Sequence, residues 1–422
     1  MKEAFIVHLW KFQLFDHNNL LTDTKQQLDI VAVGEENHYD GPDFFNAKLR
    51  IDGTLWAGNV EIHLKSSDWL KHQHQHNAAY DNVILHVVYE NDCPIQRKNG
   101  EQIPTIALKK RLLPNIYRNY LLLQSDTNWI PCEKFISQVD ELRVYHWLDS
   151  LLVERLEQKV QPILDRLVQN KFDWEATFYQ FLCKALGAKV NAQPFEQVAQ
   201  NVPIKVLAKH KDSLVNLEAL LFGQAGLLTN THFTDDYPKQ LQQAYKGLKI
   251  KFGLNELIAY TWKFGRLRPF NFPTIRLAQL AMLVYQHNAL FSKILAAKSI
   301  SDYENIFTVG TSTYWLTHYV FDKESVAKRK VMGKSMVYGL LINTVVPFLF
   351  VYGKQRGIPQ YQDQALNLLE QLPTEKNTII KQWKTLGVKA NNAFHSQALL
   401  QLKNKYCNDK RCLNCAIGAK LL

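Results

Sequence analysis

The sequence predicts an α+β protein, with a strand-rich N-terminal domain over residues 1–112 and a mainly α-helical region over 113–422. Three observations carry this expectation. Between Gly41 and Lys65 the chain reads as two strands paired around an Asp52-Gly53 turn. Residues 82–89, NVILHVVY, form a nearly continuous apolar run, as a strand buried on both faces does. From about Leu112 strand-like alternation ends and long helical periods begin.

Taken in order, residues 3–15 predict an amphipathic helix with Phe5, Leu9 and Phe12 on one side. An apolar run, Leu28 to Val33, leads into the hairpin. Ser66, Ser67 and Asp68 offer capping oxygens to a short helix. His72, His74 and His76 follow. On a helix, His72 and His76 would share a face and could hold zinc, or the segment is simply polar and solvated. His86 lies inside the apolar run, as a hydrogen-bonded core histidine or one turned toward the hairpin. Lys98-Asn99-Gly100 repeats a turn signal, and Ile103 to Leu108 reads as a closing strand. Lys109, Lys110 and Arg111 then form an edge run that either deters strand pairing or touches DNA. Beyond it, residues 141–168 place seven aliphatic residues from Leu148 to Leu167 on helical spacing, with Pro162 expected to kink or split the helix. Further helices are expected at 173–186, 213–226, 236–249, 254–264, 273–298, 324–352, 361–371, 374–386 and 392–405.

The hairpin carries the chemistry. Asp43 follows a Gly-Pro turn. Glu61, His63 and Lys65 alternate along the second strand and therefore project from one face. Two carboxylates are what a hard cation such as Mg²⁺ or Mn²⁺ asks of a protein, and a neighbouring lysine can orient water or steady charge on a phosphate. The alternative is a solvated polar face on a half-buried hairpin.

This order of elements resembles the PD-(D/E)XK nuclease superfamily over roughly the first quarter of the chain, through Pro42-Asp43 and Glu61. The resemblance implies a restriction-endonuclease-like αβββαβ domain. It also implies a metal held by Asp43 and Glu61, with Lys65 and His63 as catalytic partners. The superfamily's usual lysine place, two residues after the acid, holds His63 here, and the lysine stands at 65. Some superfamily members bring an acid from the first helix to the metal, which makes Glu3 a candidate beside its simpler role as a first-turn acid. The whole chain also resembles an uncharacterised bacterial protein family, through GNVEIHLKSSDW, RLRPFNFPTIRLAQLA and KRCLNCAIG.

The totals narrow the class of function. A length of 422 residues suits two or three domains, and 46% hydrophobic residues suit a sizeable core. The formal net charge of +11 favours polyanionic partners, nucleic acid and DNA first. No run of eighteen uninterrupted apolar residues occurs, so no membrane association is expected. Six cysteines, three of them crowded near the C-terminus, do not make a disulfide framework, and a cytoplasmic location is expected.

Three further clusters stand out. Arg266, Arg268 and Arg276 lie beside Pro269 and Pro273 ahead of a helix, as a phosphate-binding corner or as interdomain ion pairs. Lys328, Arg329, Lys330 and Lys334 read as a solvated helix face. Cys407, Cys412 and Cys415 have the spacing to wrap one zinc ion or one iron–sulfur cluster, with Cys132 as the fourth ligand ahead of Cys183 and His395. Reduced, packed cysteines are the other reading. The leading expectation is a metal-dependent nuclease acting on DNA. The alternative is a non-catalytic nucleic-acid- or protein-binding protein with a relic site.

Overall fold

The structure is a computed structural model and describes residues 1–37, 40–113, 115–257 and 262–422. It is α+β, with a curled sheet near the N-terminus and helices after it. The chain divides into two compact units, Met1–Trp147 with Leu402–Leu422, and Leu148–Gln401. This division differs from the expected one after residue 112, and the cysteine-bearing tail falls in the first unit. The cause is apolar burial, since Leu413 and Leu422 pack on the same core as the sheet.

In the first unit, helix α1 (Glu3–Lys11) buries Phe5, Ile6, Leu9 and Trp10. It stops before Phe12, which is 49% exposed instead of continuing the apolar side. Strands β1 (Leu28–Ala32), β2 (Glu35–Glu36), β3 (Phe44–Ile51), β4 (Thr54–Lys65), β5 (Val83–Glu90) and β6 (Thr105–Ala107) make one sheet. Its order is β1-β3-β4-β5-β6, with β2 paired to β3. The β1–β3 and β3–β4 pairs are antiparallel, whereas β4–β5 and β5–β6 are parallel. Asp52 and Gly53 both take positive φ (45° and 80°), as the two-residue turn between β3 and β4 requires.

Strand β4 is solvated over its first four residues and buried over Gly58–His63. Val60 and Ile62 enter the main core. Glu61 and His63 lie on the opposite face. They are covered by the β4–β5 crossover, which contains the single-turn helix α2 (Asp68–Lys71) and the buried rings of Trp69 and Tyr80. The crossover is clamped at its base by Asp92, which accepts from Ser66 Oγ (2.9 Å), Ser67 Oγ (2.8 Å) and the Ser67 N–H (2.9 Å).

Helix α3 (Ile116–Ser125) follows the sheet, and α4 (Glu141–Gln169) comes after it. Pro162 neither splits nor ends α4. Both Pro162 and Gln158, whose carbonyl loses its N–H partner, are exposed, so water can take the vacant bond.

In the second unit the helix expected over 273–298 breaks into Pro273–Gln286 and Leu290–Ala296. The helix expected over 324–352 begins only at Lys334. Residues His318–Val320 and Lys323–Glu324 pair as short strands, and 325–333 are not helical. The basic cluster is therefore not a solvated helix face. Lys330 is 1% exposed, donates from Nζ to the Leu316 carbonyl (2.8 Å) and lies over the Tyr319 ring. Of the helix expected over 254–264, residues 258–261 lie outside the described residues and the flanking residues are not helical. The helical stretch Lys334–Arg356 is long and apolar enough to cross a membrane, and 72% of its most apolar window is buried within the protein. Such burial is that of a core helix.

Glu218 is the most deeply buried acid of this unit, and its Oε2 accepts from Trp315 Nε1 and Tyr237 Oη, both at 2.9 Å. Burial pushes its carboxyl up to about 7, against the pull of those donors. The folded form thus holds its proton where the unfolded chain has lost it, so this residue's contribution to stability falls as pH rises from 4.5 to 7. Glu218→Gln should remove that loss. Urea titrations at pH 5 and pH 8 should show wild type losing about 3 kcal/mol more than the variant over this interval.

Candidate functional site

The Gly-Pro corner and β4 are locked together by two reciprocal bonds. The Ile62 N–H donates to Asp43 Oδ2 (2.9 Å), and the Asp43 N–H donates to Glu61 Oε2 (3.1 Å). Gly41, at φ 107°, makes the corner. Asn37 holds it, with its side-chain amide donating to the Pro42 carbonyl (3.0 Å) and its own N–H donating to that of Asp43 (2.7 Å). The two acids are therefore neighbours, although 18 residues separate them in sequence.

A third acid and a set of histidines join them. Glu3 enters from the first turn of α1, and its charge is felt at both Asp43 and Glu61. His74 Nε2 lies 3.3 Å and His63 Nε2 3.6 Å from Glu61 Oε1. The His74 approach lacks hydrogen-bond angles, which leaves that buried nitrogen unpartnered. His63 Nε2 also meets His72 Nδ1 at 3.0 Å, and His63 Nδ1 meets His86 Nε2 at 2.8 Å. One ligand atom from each of His63, His72 and His74 falls within 4.8 Å of the others.

Protonation follows from this crowding. Burial raises the Asp43 carboxyl well above the ordinary carboxylate range, and the adjacent Glu61 charge raises it further. Burial likewise raises Glu61, opposed by the Asp43 N–H and helped by Glu3. Burial, with His74 and His72 adding to it, pushes His63 down to about 3. His86 is lowered by burial and by His63. Neutral imidazoles beside acids that resist ionising form a donor set whose protons a cation would displace. Ligand atoms about 2.1 Å from a shared ion stand roughly 3.0–3.4 Å apart. The histidine-to-Glu61 distances are near that spacing.

Not every expected residue arrives. Lys65 shares the face of Glu61 and His63 but lies at the exposed end of β4, where its N–H donates to Asp68. His76 does not pair with His72, because α2 ends at Lys71 and Gln73 turns the chain with φ 59°. That turn brings His72 and His74 together instead, with His74 stacked on Tyr80 at 3.8 Å between centroids. The helical parsing of the His-x-His-x-His run concealed this pair. His86 is both of the things expected of it, wholly buried and turned to His63.

The arginine corner comes apart. Arg276 is 7% exposed and donates to Gln279 Oε1 (2.7 Å) and Asn271 Oδ1 (2.8 Å), so it braces its own helix instead of facing a ligand. Arg266 and Arg268 are exposed.

A family described as "Protein of unknown function (DUF2851)" matches residues 3–378, and the chain belongs to that family. Comparison with curated proteins and with solved structures returns no match.

If these side chains share one cation, Glu61→Gln should abolish Mn²⁺ binding measured by equilibrium dialysis. His86→Leu, which removes only the partner that orients His63, should weaken it by about 10–100-fold. Unchanged binding in both variants would contradict the shared site.

Proposed function

We propose that this protein is a metal-dependent nuclease that hydrolyses phosphodiester bonds of DNA. The single observation that carries this reading is the reciprocal clasp of Asp43 and Glu61, with Glu3 and the histidines around it. The order of elements supports it. A helix is followed by antiparallel β1, β3 and β4, then by a crossover helix and the parallel strand β5. The acids stand at the entry to β3 and in the middle of β4, as the resemblance to the PD-(D/E)XK superfamily implies.

The donor set bears on which cation it would suit. Carboxylates alone fit Mg²⁺, whereas carboxylates with imidazoles favour softer ions, so of Mg²⁺ and Mn²⁺ the second fits better. Asp43, Glu61 and His74 would hold it, with His63 and His72 beside them. A bound divalent ion lowers the pKa of water and stabilises charge on a phosphoryl oxygen. His63 acts as a fixed support, since both its nitrogens meet other histidines. Lys65, on the exposed end of the strand, offers its charge to a phosphate arriving from solvent. In the second unit the exposed Arg266 and Arg268 are suited to the DNA backbone, whose charge the +11 chain would help to neutralise. One feature favours the non-catalytic alternative, because the usual lysine place is filled by His63.

Nicking of supercoiled plasmid in Mn²⁺ tests the reading. Asp43→Ala should slow nicking by roughly a hundredfold or more. Equal rates in wild type and variant would remove the catalytic role. Salt-sensitive DNA binding without nicking would establish the relic-site alternative.

A further inference from the structure

Five of the six cysteines lie in the first unit, and four of them gather there, although Cys132 is far in sequence from Cys407, Cys412 and Cys415. Cys132 feels the charge of Cys415 and Cys412, and Cys407 feels all three of the others. The remaining two stand apart. Cys93 is near Ser66 at the base of the crossover, and Cys183 is buried against Tyr179 in the second unit. His395, also in the second unit, takes a hydrogen bond from the Asn391 N–H. Of the candidates for a fourth ligand, Cys132 is the one brought to the tail.

The tail is built to keep them there. Lys410 Nζ donates to the Gln124 carbonyl (2.6 Å), while Gln124 Nε2 donates back to the carbonyl of Lys410 (3.1 Å). Lys403 Nζ donates to the carbonyl of Trp129, three residues before Cys132 (2.8 Å). Asn119 Nδ2 holds the Leu421 carbonyl (3.2 Å). A Cβ on Gly418 would stand 2.4 Å from the Cys412 carbonyl oxygen, so only glycine lets the chain wrap this closely. The wrap aims the Ile417 and Gly418 N–H groups at the Cys415 sulfur, beside the otherwise unpartnered indole N–H of Trp147. Lys403 and Lys410 place positive charge next to Cys407 and Cys412.

Four cysteines drawn from two distant stretches of chain make a ligand set of the kind a zinc ion or an iron–sulfur cluster takes. Spacing distinguishes the kinds of centre. Sulfurs bound tetrahedrally to one zinc ion at about 2.3 Å stand roughly 3.8 Å apart. Among the described residues no three cysteine sulfurs come within 4.8 Å of one another. An iron–sulfur core interposes several atoms and separates ligating sulfurs across it by about 6 Å. Cys407-x4-Cys412-x2-Cys415 is also a spacing that iron–sulfur ligands adopt, with a fourth cysteine from elsewhere in the chain.

We propose that Cys132, Cys407, Cys412 and Cys415 ligate one iron–sulfur cluster, which clasps the C-terminal tail to the first unit. The tail cysteines lie beyond the residues matched by the family, and the proposal stands whether or not the chain cuts DNA. A cavity of about 830 Å³ is bordered by Cys415 and lined in part by Lys11, Arg143, Arg411 and Lys420.

The full chain, purified anaerobically and reconstituted with ferrous iron and sulfide, tests this directly. The expected result is a brown protein with iron and acid-labile sulfide in equal amounts, about two or four of each per chain. Cys132→Ser and Cys412→Ser should lose the colour and most of the iron, while Cys93→Ser and Cys183→Ser keep both. Three results would overturn the proposal: one zinc without sulfide, a colourless metal-free chain after reconstitution, or full iron retention in Cys132→Ser. The wild-type metal content answers the question even if a variant fails to fold.

Discussion

The two hydrogen bonds between Asp43 and β4 are the constraint on which the rest of the site depends. Each uses a backbone N–H of one partner to hold a carboxylate of the other. The acids are thereby fixed as a pair without any help from a cation, so their mutual repulsion and desolvation are built into the fold. Core packing on the other face of β4, through Val60 and Ile62, supplies the rigidity. A site assembled this way is set before any ligand arrives, and its affinity is not spent on ordering side chains.

The histidines extend the same logic. His86 lies wholly in the interior and fixes His63, while Trp69 and Tyr80 wall the crossover side. Burial lowers the proton affinity of His63, His74 and His86, and a neutral imidazole can offer a lone pair to a metal. A lysine at residue 63 would bring a fixed charge into this pocket, whereas an imidazole does not. His63 thus suits a pocket lined by several imidazoles.

Much of this was legible in the sequence. The hairpin was signalled by Asp52-Gly53, the central strand by its apolar run, and the acids by the Gly-Pro corner and the alternation of β4. The convergence of His72 and His74 was not, because it rests on one positive φ at Gln73, a residue with no particular preference for it. The tail's return to the first unit was also hidden, since a few apolar residues and side-chain-to-carbonyl bonds carry it, not a periodic pattern. Arg276 misled for a related reason. A guanidinium near a helix start looks like an anion site until its donors are seen to be used by Gln279 and Asn271. Local patterns show which groups could act. Tertiary closure decides which of them meet.

Both proposed centres follow one rule: side chains from distant stretches of chain are brought together, and surrounding backbone N–H groups supply donors. The nuclease reading depends on the first of them. Its most direct test is anomalous diffraction from crystals grown with Mn²⁺. The account predicts a peak about 2.2 Å from Glu61 Oε1 that contacts Asp43 and His74. A fully occupied ion elsewhere, with the Asp43 and Glu61 carboxylates bonded only to the Ile62 and Asp43 N–H groups, would contradict it.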